Sequence, residues 1–372
     1  GKLCHRRNTH MIYNPTKIHF GEQAARQAAD DLASLGSRAF IVTGRQSAVQ
    51  SGALDSVLEV LREKGISWQI HARIGENPSL DMVLEGAQAL NASECDFVIG
   101  IGGGSPIDAA KAIALASEND LGEGELYRTD LFKRSLPLAA VPTTSGTGSE
   151  VTQYSVLTDR SRKRKAGFGS NLAFPALAIC DPRHTLSMGA RETLNTGIDA
   201  LSHLLEGIYS QKREALLYPL IYSGIKAIIR NLEKALAQPG DLAARSEMMR
   251  AALYGGLAIS STGTTLQHSL GYPLTSHFGV PHGLSNGIAM RQVMELYSRA
   301  LRPELDELFH ALGMGRQDFY AWLDGLGMKA ELDITEEFIA MAVPEVMGSR
   351  NMANNPFAVS AEEVAGLYRS LP

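Results

Sequence analysis

Between residue 12 and about residue 180, short apolar runs alternate with amphipathic stretches, a pattern typical of alternating strands and helices. The apolar runs predict strands over residues 39–43, 67–71, 97–101 and 136–142, with shorter ones at 156–157 and 176–180. The amphipathic stretches predict helices over residues 51–64, 79–90 and 106–117. Because nearly every position of these strands is apolar, we predict a parallel sheet covered by helices on both faces.

The pattern changes after residue 182, where strand signals nearly vanish and helical periodicity takes over. Helices are predicted over residues 193–210, 215–236, 242–259, 284–299, 304–312 and 316–326, and Ser360 and Glu363 form a capping box at the start of the last helix. The sequence therefore predicts an α/β dinucleotide-binding domain over residues 11–182 and an all-helical domain over residues 183–372. A cleft between two such domains is a common place for a ligand site.

Composition narrows the class of protein. The chain has 372 residues, of which 44% are hydrophobic and 20% charged, and its net charge of −5 argues against a nucleic-acid partner. The one dense basic run, residues 160–165, is local. Three cysteines without metal-ligand spacing favour a reducing, cytoplasmic location. No run approaches the roughly 18 apolar residues of a membrane span, so we expect no membrane partner.

Four side chains in the C-terminal half have the chemistry of a metal site. Asp199 and His203 are four residues apart and therefore share one face of a helix. His268 follows later, and His282 lies in a Pro-His-Gly sequence. Three imidazoles and one carboxylate suit a divalent transition metal such as iron or zinc. Taken singly, Asp199 also fits a carboxylate in the first turn of a helix, and His203 a buried histidine.

A glycine-rich turn follows the predicted strand 97–101. Gly102, Gly103 and Gly104 precede Ser105, which we predict as a helix N-cap, and Pro106, which we predict as the first helical residue. Glycines without Cβ let a diphosphate approach the backbone, and a helix N-terminus offers free N–H groups to it. The spacing is not that of the G-x-G-x-x-G fingerprint, so an ordinary strand-to-helix turn fits this segment equally well.

In combination, these segments resemble the iron-containing (group III) alcohol dehydrogenases, whose two-domain fold is shared with glycerol dehydrogenase and dehydroquinate synthase. The resemblance runs from residue 15 to the end of the chain. It is carried by residues 15–21, 77–79, 102–111 (GGGSPIDAAK), 142–152 (PTTSGTGSEVT), 196–203, 281–283 and 355–356. The resemblance implies a Rossmann-like nucleotide-binding domain followed by an all-α domain, which is the dehydroquinate synthase-like fold.

The same resemblance assigns roles to individual residues. It implies that Asp199, His203, His268 and His282 are metal ligands. It also implies that the nucleotide is bound by Asn77, Gly102, Gly103, Gly104, Ser105, Asp108, Thr143, Thr144, Thr147 and Lys165. The four implied metal ligands would bind Fe(II), with Zn(II) or another divalent transition metal as the alternative.

One position departs from the family pattern. Many members have a further histidine four residues after the first loop ligand, close to the nicotinamide, whereas this chain has Tyr272. The usual candidate for a proton relay is therefore missing, and we predict that Tyr272 shapes the substrate pocket instead. His277 is the other histidine near these ligands and is a second candidate for a catalytic role.

The end of strand 39–43 bears on the choice of cofactor. A carboxylate there would hydrogen-bond the ribose 2′-hydroxyl of NAD and repel a 2′-phosphate. This chain instead has Gly44, Arg45 and Ser47. A small residue, a cation and a hydroxyl favour a phosphate, so we predict that NADP(H) is preferred over NAD(H).

We therefore expect a metal-dependent alcohol dehydrogenase or aldehyde reductase acting on a small primary alcohol, diol or hydroxy acid, assembled as a homodimer or larger homo-oligomer. The metal would polarise the alcohol or carbonyl oxygen while the nicotinamide exchanges hydride. A glycerol-type polyol dehydrogenase is the close alternative. A dehydroquinate synthase-like lyase is less favoured because its acidic phosphate substrate needs clustered Lys and Arg, and residues 262–290 contain neither.

Overall fold

The N-terminal half is built around a six-stranded parallel sheet. The computed structural model describes residues 12–160, 164–328 and 330–371. The sheet strands are β1 Lys17–Phe20, β2 Arg38–Gly44, β3 Ser67–Ile74, β4 Phe97–Gly102, β5 Leu138–Pro142 and β8 Leu177–Cys180. Their order is β1-β8-β5-β4-β2-β3, and every neighbouring pair is parallel. The predicted fold class, a parallel α/β half followed by a helical half, is confirmed.

Helices cover both faces of the sheet. They are α1 Ala24–Gln27, α2 Ala29–Ala33, α3 Ser47–Gln50, α4 Ala53–Glu63, α5 Leu80–Asn91 and α6 Gly104–Asn119. On β2, Phe40 and Val42 point into the core beneath α5 and α6, whereas Ala39 and Ile41 point into the core beneath α4. Each strand residue therefore has an apolar neighbour whichever face it points to, which explains the continuous apolar runs.

A separate hairpin lies beside this sheet. Strands β6 Tyr154–Asp159 and β7 Arg164–Gly169 pair with each other in an antiparallel ladder. The sequence pattern predicted only residues 156–157 of this hairpin, because β6 alternates buried and partly exposed positions and so gives a weaker signal than the sheet strands. Residues 161–163 of the basic run lie outside the described residues.

The C-terminal half of the described chain consists of helices. They are α7 Ala190–Tyr209, α8 Tyr218–Ala237, α9 Leu242–Thr262, α10 Leu266–Phe278, α11 His282–Ile288, α12 Met290–Leu312, α13 Arg316–Gly325, α14 Glu336–Met347 and α15 Ala361–Arg369. Among the described residues, none of these helices combines the length and the hydropathy needed to traverse a bilayer. Ser360 and Glu363 form the predicted capping box of α15.

Helices α10, α11, α12 and α14 differ from the prediction, and α14 has no counterpart among the predicted helices. The predicted helix 284–299 is divided between α11 and α12, and α12 then continues through a kink at Leu301 (φ −116°, ψ 25°) just before Pro303. Helix α10 was missed because it contains Gly271 and Pro273, residues that usually interrupt helices. A side chain at Gly271 would place its Cβ 2.3 Å from Oδ1 of Asn286, so the packing of α10 on α11 requires glycine there.

The two halves meet through glycines that allow close backbone approach. Gly148 has φ +63°, and a Cβ added to it would lie 2.5 Å from the Cα of Gly256 on α9. A Cβ at Gly146 would lie 2.8 Å from the carbonyl oxygen of Thr196 on α7. The loop after β5 is therefore seated directly on α7 and α9, which brings the sheet edge against the helical half.

This close approach predicts the effect of one substitution. In Gly256→Ala the new Cβ would lie 2.7 Å from the carbonyl oxygen of Gly148, so we expect a loss of roughly 1–3 kcal/mol of stability from overpacking. Gly366→Ala in α15 is the matched control, because a Cβ there meets nothing within 4 Å. Since alanine favours helix over glycine, Gly366→Ala should be stabilising by up to about 1 kcal/mol. Denaturant unfolding of both variants beside the parent tests this, and equal effects would contradict it.

Candidate metal and nucleotide site

A large cleft lies at the carboxyl edge of the parallel sheet and is closed on its other side by the helical half. It has a volume of about 1830 Å³. Strands β4 and β5 are neighbours, Gly102 is in register with Pro142, and the N–H of Thr143 donates to the carbonyl of Gly102 at 2.8 Å. The loops that follow these two strands therefore leave the sheet side by side. The carboxyl ends of parallel strands are where such folds bind ligands.

On the helical side of the cleft, three imidazoles surround one carboxylate. The Nε2 atoms of His203, His268 and His282 lie 3.8, 3.6 and 3.7 Å from Oδ1 of Asp199. Ligand bonds of about 2.1 Å in a tetrahedral arrangement separate ligand atoms by about 3.4 Å. The donor atoms of Asp199, His268 and His282 all lie within 4.8 Å of one another, and His203 stacks on His268 with ring centroids 4.8 Å apart. The chemistry and spacing of this set fit a divalent metal ion.

Helix packing brings these four side chains together. Asp199 and His203 lie on the buried face of α7, His268 is in the first turn of α10, and His282 begins α11. A Cβ at Gly283 would lie 1.9 Å from the carbonyl oxygen of Asn195 on α7. Glycine after His282 therefore allows the start of α11 to contact α7 closely enough for its imidazole to reach Asp199.

A second buried carboxylate, Glu206, was not identified from the sequence. It lies on α7 seven residues after Asp199, and its Oε2 pairs with Nδ1 of His268. Its Oε1 accepts from the N–H and the hydroxyl of Thr265 at 2.7 and 2.9 Å. With Nδ1 held in this way, Nε2 of His268 faces Asp199, as is usual for a histidine ligand. The spacing of Asp199, His203 and Glu206 along one helix face was the available signal.

Charge at this site follows from burial and proximity. Burial alone would raise the pKa of Asp199, but His203, His282 and His268 outweigh it and hold that pKa well below its ordinary value. Burial lowers the pKa of His282 to about 3, so its imidazole is neutral and can donate a lone pair. Burial opposes protonation of His268 as well, yet Glu206 and Asp199 raise its pKa. The two carboxylates thus favour a positive charge between them, which a metal cation would satisfy.

The glycine-rich turn differs in detail from the prediction. Helix α6 begins at Gly104 with Gly103 as its N-cap, so the prediction of Ser105 as the N-cap is wrong. Gly102 has φ +147°, and a Cβ there would lie 2.7 Å from Cγ of Pro106. Because this tight turn starts the helix early, Pro106 becomes its third residue, and Ser105 Oγ instead accepts from the N–H of Asn77 at 3.3 Å. Gly102 lies beneath the turn and not among the cleft-lining residues.

The threonine-rich loop after β5 packs on this turn. A Cβ at Gly103 would lie 3.3 Å from Cγ2 of Thr144, and one at Gly104 would lie 2.7 Å from Cγ2 of Thr147. Glycine at position 104 therefore allows the two loops to pack closely. Thr143 Oγ1 is buried and has no partner among the described residues, although Thr143 lines the cleft. A buried polar atom of this kind fits a hydrogen bond to a bound nucleotide.

Asn77 and Lys165 meet at the cleft wall beside the start of α6. Asn77 has φ +53°, a left-handed conformation that asparagine tolerates, and its Oδ1 accepts from Nζ of Lys165 at 2.9 Å. Both residues and Ser105 line the cleft. The sequence thus identified three residues that are neighbours in space although they come from three separate segments.

Asp108 lines the cleft, but protein groups already occupy both of its carboxylate oxygens. Oδ1 accepts from the hydroxyl of Ser149, and Oδ2 accepts from the N–H of Val156 at 2.9 Å. Lys111, which is buried on the same helix, donates to Ser149 Oγ and to the carbonyl of Tyr154, both at 2.8 Å. These two residues hold α6 against the threonine loop and the hairpin.

Tyr272 lines the cleft next to His282. Its ring stacks on that of His282 with centroids 5.7 Å apart. Burial raises the pKa of Tyr272 to about 12, so the phenol stays protonated near neutral pH. His277 is not among the residues that line the cleft, and its ring packs against Phe278 and Phe338.

The cleft is also lined by three residues at the end of β2 and just after it, Gly44, Arg45 and Ser47. A Cβ at Gly44 would be 3.5 Å from the carbonyl oxygen of Ile74, so there is room for a side chain. Glu76 also lines this part of the cleft.

Basic side chains line the cleft, although residues 262–290 contain none. They are Arg45, Arg128, Lys165, Arg191, Lys212 and Arg350. The absence of Lys and Arg from residues 262–290 therefore does not mean that the cleft lacks basic side chains.

Comparison with known proteins gives relatives that cover most of the chain. A long-chain-alcohol dehydrogenase of Geobacillus thermodenitrificans is 32% identical over 91% of this chain and 85% of its own length. An iron-containing alcohol dehydrogenase of Thermotoga maritima is 38% identical, with a TM-score of 0.90 over 96% of this chain and 98% of its own. A sulfoacetaldehyde reductase of Bifidobacterium kashiwanohense, solved with NAD+, is 29% identical, with a TM-score of 0.88 over 97% of this chain and 98% of its own.

Two family models match consecutive parts of the chain. Residues 15–182 match the model described as iron-containing alcohol dehydrogenase. Residues 193–371 match the model described as the C-terminal part of the Fe-containing alcohol dehydrogenase family. The chain belongs to the iron-containing alcohol dehydrogenase family, whose members are oxidoreductases of the alcohol dehydrogenase and aldehyde reductase class.

Proposed function

We propose that this protein is a metal-dependent alcohol dehydrogenase or aldehyde reductase that transfers hydride between NADP(H) and a small primary alcohol, diol or hydroxy acid. The observation that carries the proposal is the placement of three imidazole Nε2 atoms within 3.8 Å of Asp199 Oδ1, in a cleft that the glycine turn also lines. In this proposal residues 11–182 bind the dinucleotide and residues 183–372 bind the metal. The names of the relatives, alcohol dehydrogenases and an aldehyde reductase, agree with it.

Asp199, His203, His268 and His282 would hold the metal, which we propose to be Fe(II) because of the family, with Zn(II) suited to the same donors. When bound, the metal would supply Lewis-acid polarisation of the substrate oxygen, and the nicotinamide would supply hydride exchange. Three neutral imidazoles and one carboxylate would leave a net charge of about +1 on a divalent ion. Glu206 would keep His268 in the tautomer that presents Nε2.

The cofactor would be held by groups on the sheet side of the cleft. The free N–H groups at the start of α6, beside Gly103 and Gly104, suit a pyrophosphate. Thr143 offers an unpaired hydroxyl, and Lys165 offers a positive charge held in place by Asn77. Tyr272 would form the side of the substrate pocket next to His282 and, as a protonated phenol, would donate or relay a hydrogen bond without acting as a base.

An enzyme assay on metal-loaded protein tests this function. We expect anaerobic protein loaded with Fe(II) or Zn(II) to oxidise NADPH in the presence of small aldehydes. His282→Ala should lose bound metal and should lose activity by more than the roughly 10- to 100-fold effect of removing an outer partner, because it removes a ligand. His277→Ala is the matched control, since His277 does not line the cleft. Full activity in His282→Ala, or none in the loaded parent, would refute the proposal.

Glu206 allows a separate test of the metal set. Glu206→Gln keeps the size of the side chain but removes the charge that pairs with His268, so metal affinity should fall by roughly 10- to 100-fold. A chelator competition with Zn(II) measures this affinity without any turnover. Glu233→Gln, an exposed change on α8, should leave the affinity unchanged. Equal affinities in both variants would show that Glu206 does not support the metal.

The preference for NADP(H) rests on the end of β2. Arg45 is exposed, has no ion-pair partner among the described residues and lies beside Gly44 and Ser47 at the cleft wall. A guanidinium and a hydroxyl next to a residue without a side chain suit a 2′-phosphate. NAD(H) is the second candidate, favoured by Glu76 at the same end of the cleft and by the NAD+ in the related sulfoacetaldehyde reductase.

Two substitutions distinguish these cofactors. In Gly44→Asp the added Cβ makes only ordinary contacts. The new carboxylate would repel a 2′-phosphate, so kcat/KM for NADPH relative to NADH should fall by about 10- to 100-fold. Arg45→Gln should lower the value for NADPH alone, because NADH has no phosphate to lose. A parent enzyme that prefers NADH, or a ratio that neither change moves, would contradict the NADP(H) proposal.

We also infer that the protein assembles as a homodimer or larger homo-oligomer in the cytoplasm. The family resemblance suggests the assembly. The outer edges of β1 and β3 have no strand partner among the described residues, and such edges are usually covered.

A further inference from the structure

Asn286 is a fully buried amide that lies against the proposed metal ligands. It is on α11 four residues after His282, so the two side chains share one face of that helix. Its Nδ2 donates to Oδ1 of Asp199 at 3.2 Å and lies 3.2 Å from Nε2 of His268. These are the atoms that Asp199 and His268 would offer to a metal. The amide nitrogen of Asn286 therefore contacts the donor set directly.

The neighbours of Asn286 determine the orientation of its amide. Asp199 Oδ1 is an acceptor, so the end of the amide that faces it is the N–H donor. The other end, Oδ1, lies against α10, where a Cβ on Gly271 would be 2.3 Å from it. The next residue, Gly287, packs on α7, where an added Cβ would lie 2.6 Å from Cγ2 of Ile198. Close packing on both α10 and α7 therefore holds the amide beside Asp199.

Asn286 lies behind the donor set as seen from the cleft. All four proposed ligands line the cleft, whereas Asn286 does not line it and has no exposed surface. A neutral amide N–H has no lone pair to give to a metal, so it occupies space beside the two ligand atoms without being a ligand. It also uses one lone pair of Asp199 Oδ1 and leaves the other available. The set is therefore open toward the cleft and closed on the side of Asn286.

We propose that Asn286 limits the donor set to one carboxylate oxygen and three imidazole nitrogens, and in this way selects which metal the site binds. This inference rests on the proposed metal site and concerns its selectivity. Four donors of these kinds suit Zn(II), whereas Mn(II) and Mg(II) prefer about six ligands that are mostly oxygen. Asn286 is thus a positioning residue, because it acts through Asp199 and is not itself a ligand.

Aspartate has the shape of asparagine and so provides a direct test. In Asn286→Asp the N–H donor becomes a carboxylate oxygen, which gives the site a second oxygen ligand. The preference for Zn(II) over Mn(II), taken as the ratio of their dissociation constants, should fall by about tenfold from the parent value. Chelator competition measures Zn(II) binding, and the EPR signal of free Mn(II) measures Mn(II) binding. Neither measurement needs turnover.

Asn286→Ala is the second variant and keeps the test available if Asn286→Asp does not fold. Alanine removes the N–H that orients Asp199, so the affinity for Zn(II) should fall by roughly 10- to 100-fold. It also opens the closed side of the set to a water molecule. In both variants the visible absorption of Co(II)-loaded protein should be weaker than in the parent, because an additional ligand lowers the intensity of the Co(II) bands. A purely structural effect on stability would not change this spectrum.

Asn231→Asp is the matched control. Asn231 is also a helical asparagine whose Nδ2 donates to an oxygen, the carbonyl of Ala227 at 2.8 Å, but it is on α8 and does not line the cleft. The same replacement there adds one negative charge without adding a ligand beside Asp199. The Zn(II)/Mn(II) preference and the Co(II) spectrum should both keep their parent values.

The outcomes separate this inference from the proposed function. A lower preference for Zn(II) in Asn286→Asp, or weaker Zn(II) binding with a weaker Co(II) spectrum in Asn286→Ala, supports it. Parent values in the variants of Asn286, or an equal shift in Asn231→Asp, overturn it, and a parent protein that binds Zn(II) and reduces aldehydes then leaves the proposed function intact. If the parent protein binds neither Zn(II) nor Mn(II), the proposed metal site fails and this inference fails with it.

Discussion

The structure depends on the pairing of buried charge along one face of α7. Asp199 and Glu206 are both buried on that face, and an isolated carboxylate in such a place would be strongly unfavourable. His268 from α10 provides the compensation, because it lies between the two carboxylates. His282 from α11 places a neutral imidazole beside Asp199. The positions of α10 and α11 are therefore tied to α7 by electrostatics as well as by apolar packing.

Close backbone contacts couple this helical half to the sheet. Gly146 lies against Thr196 on α7, less than one turn before Asp199, and Gly103 and Gly104 lie against the same threonine loop. One loop thus contacts both the glycine turn and the metal helix. Because each contact depends on the absence of a side chain, the relative placement of nucleotide and metal residues is determined by backbone packing, which is far less adjustable than contacts between long side chains.

Family membership and the local structure bear on different questions. Membership accounts for the two-part fold, which this chain shares with its relatives. The cleft that contains Asp199 and the three histidines also has polar side chains in its lining, among them Tyr272, Gln153 and Ser261. Substrate choice is therefore expected to follow this lining, since the same metal chemistry operates on many alcohols.

The sequence by itself determined the parallel sheet, the helical half and the shared helix face of Asp199 and His203, because periodicity reports burial and i, i+4 spacing reports a shared helix face. Tertiary structure alone decided the rest. Helix α10 contains Gly271 and Pro273, and its packing on α11 leaves no room for a side chain at residue 271. Ser105 bonds Asn77 instead of capping α6, Glu206 reaches His268 across 62 residues of sequence, and His277 packs against Phe338 outside the cleft lining. These outcomes depend on contacts between distant segments, and local patterns along one segment do not contain them.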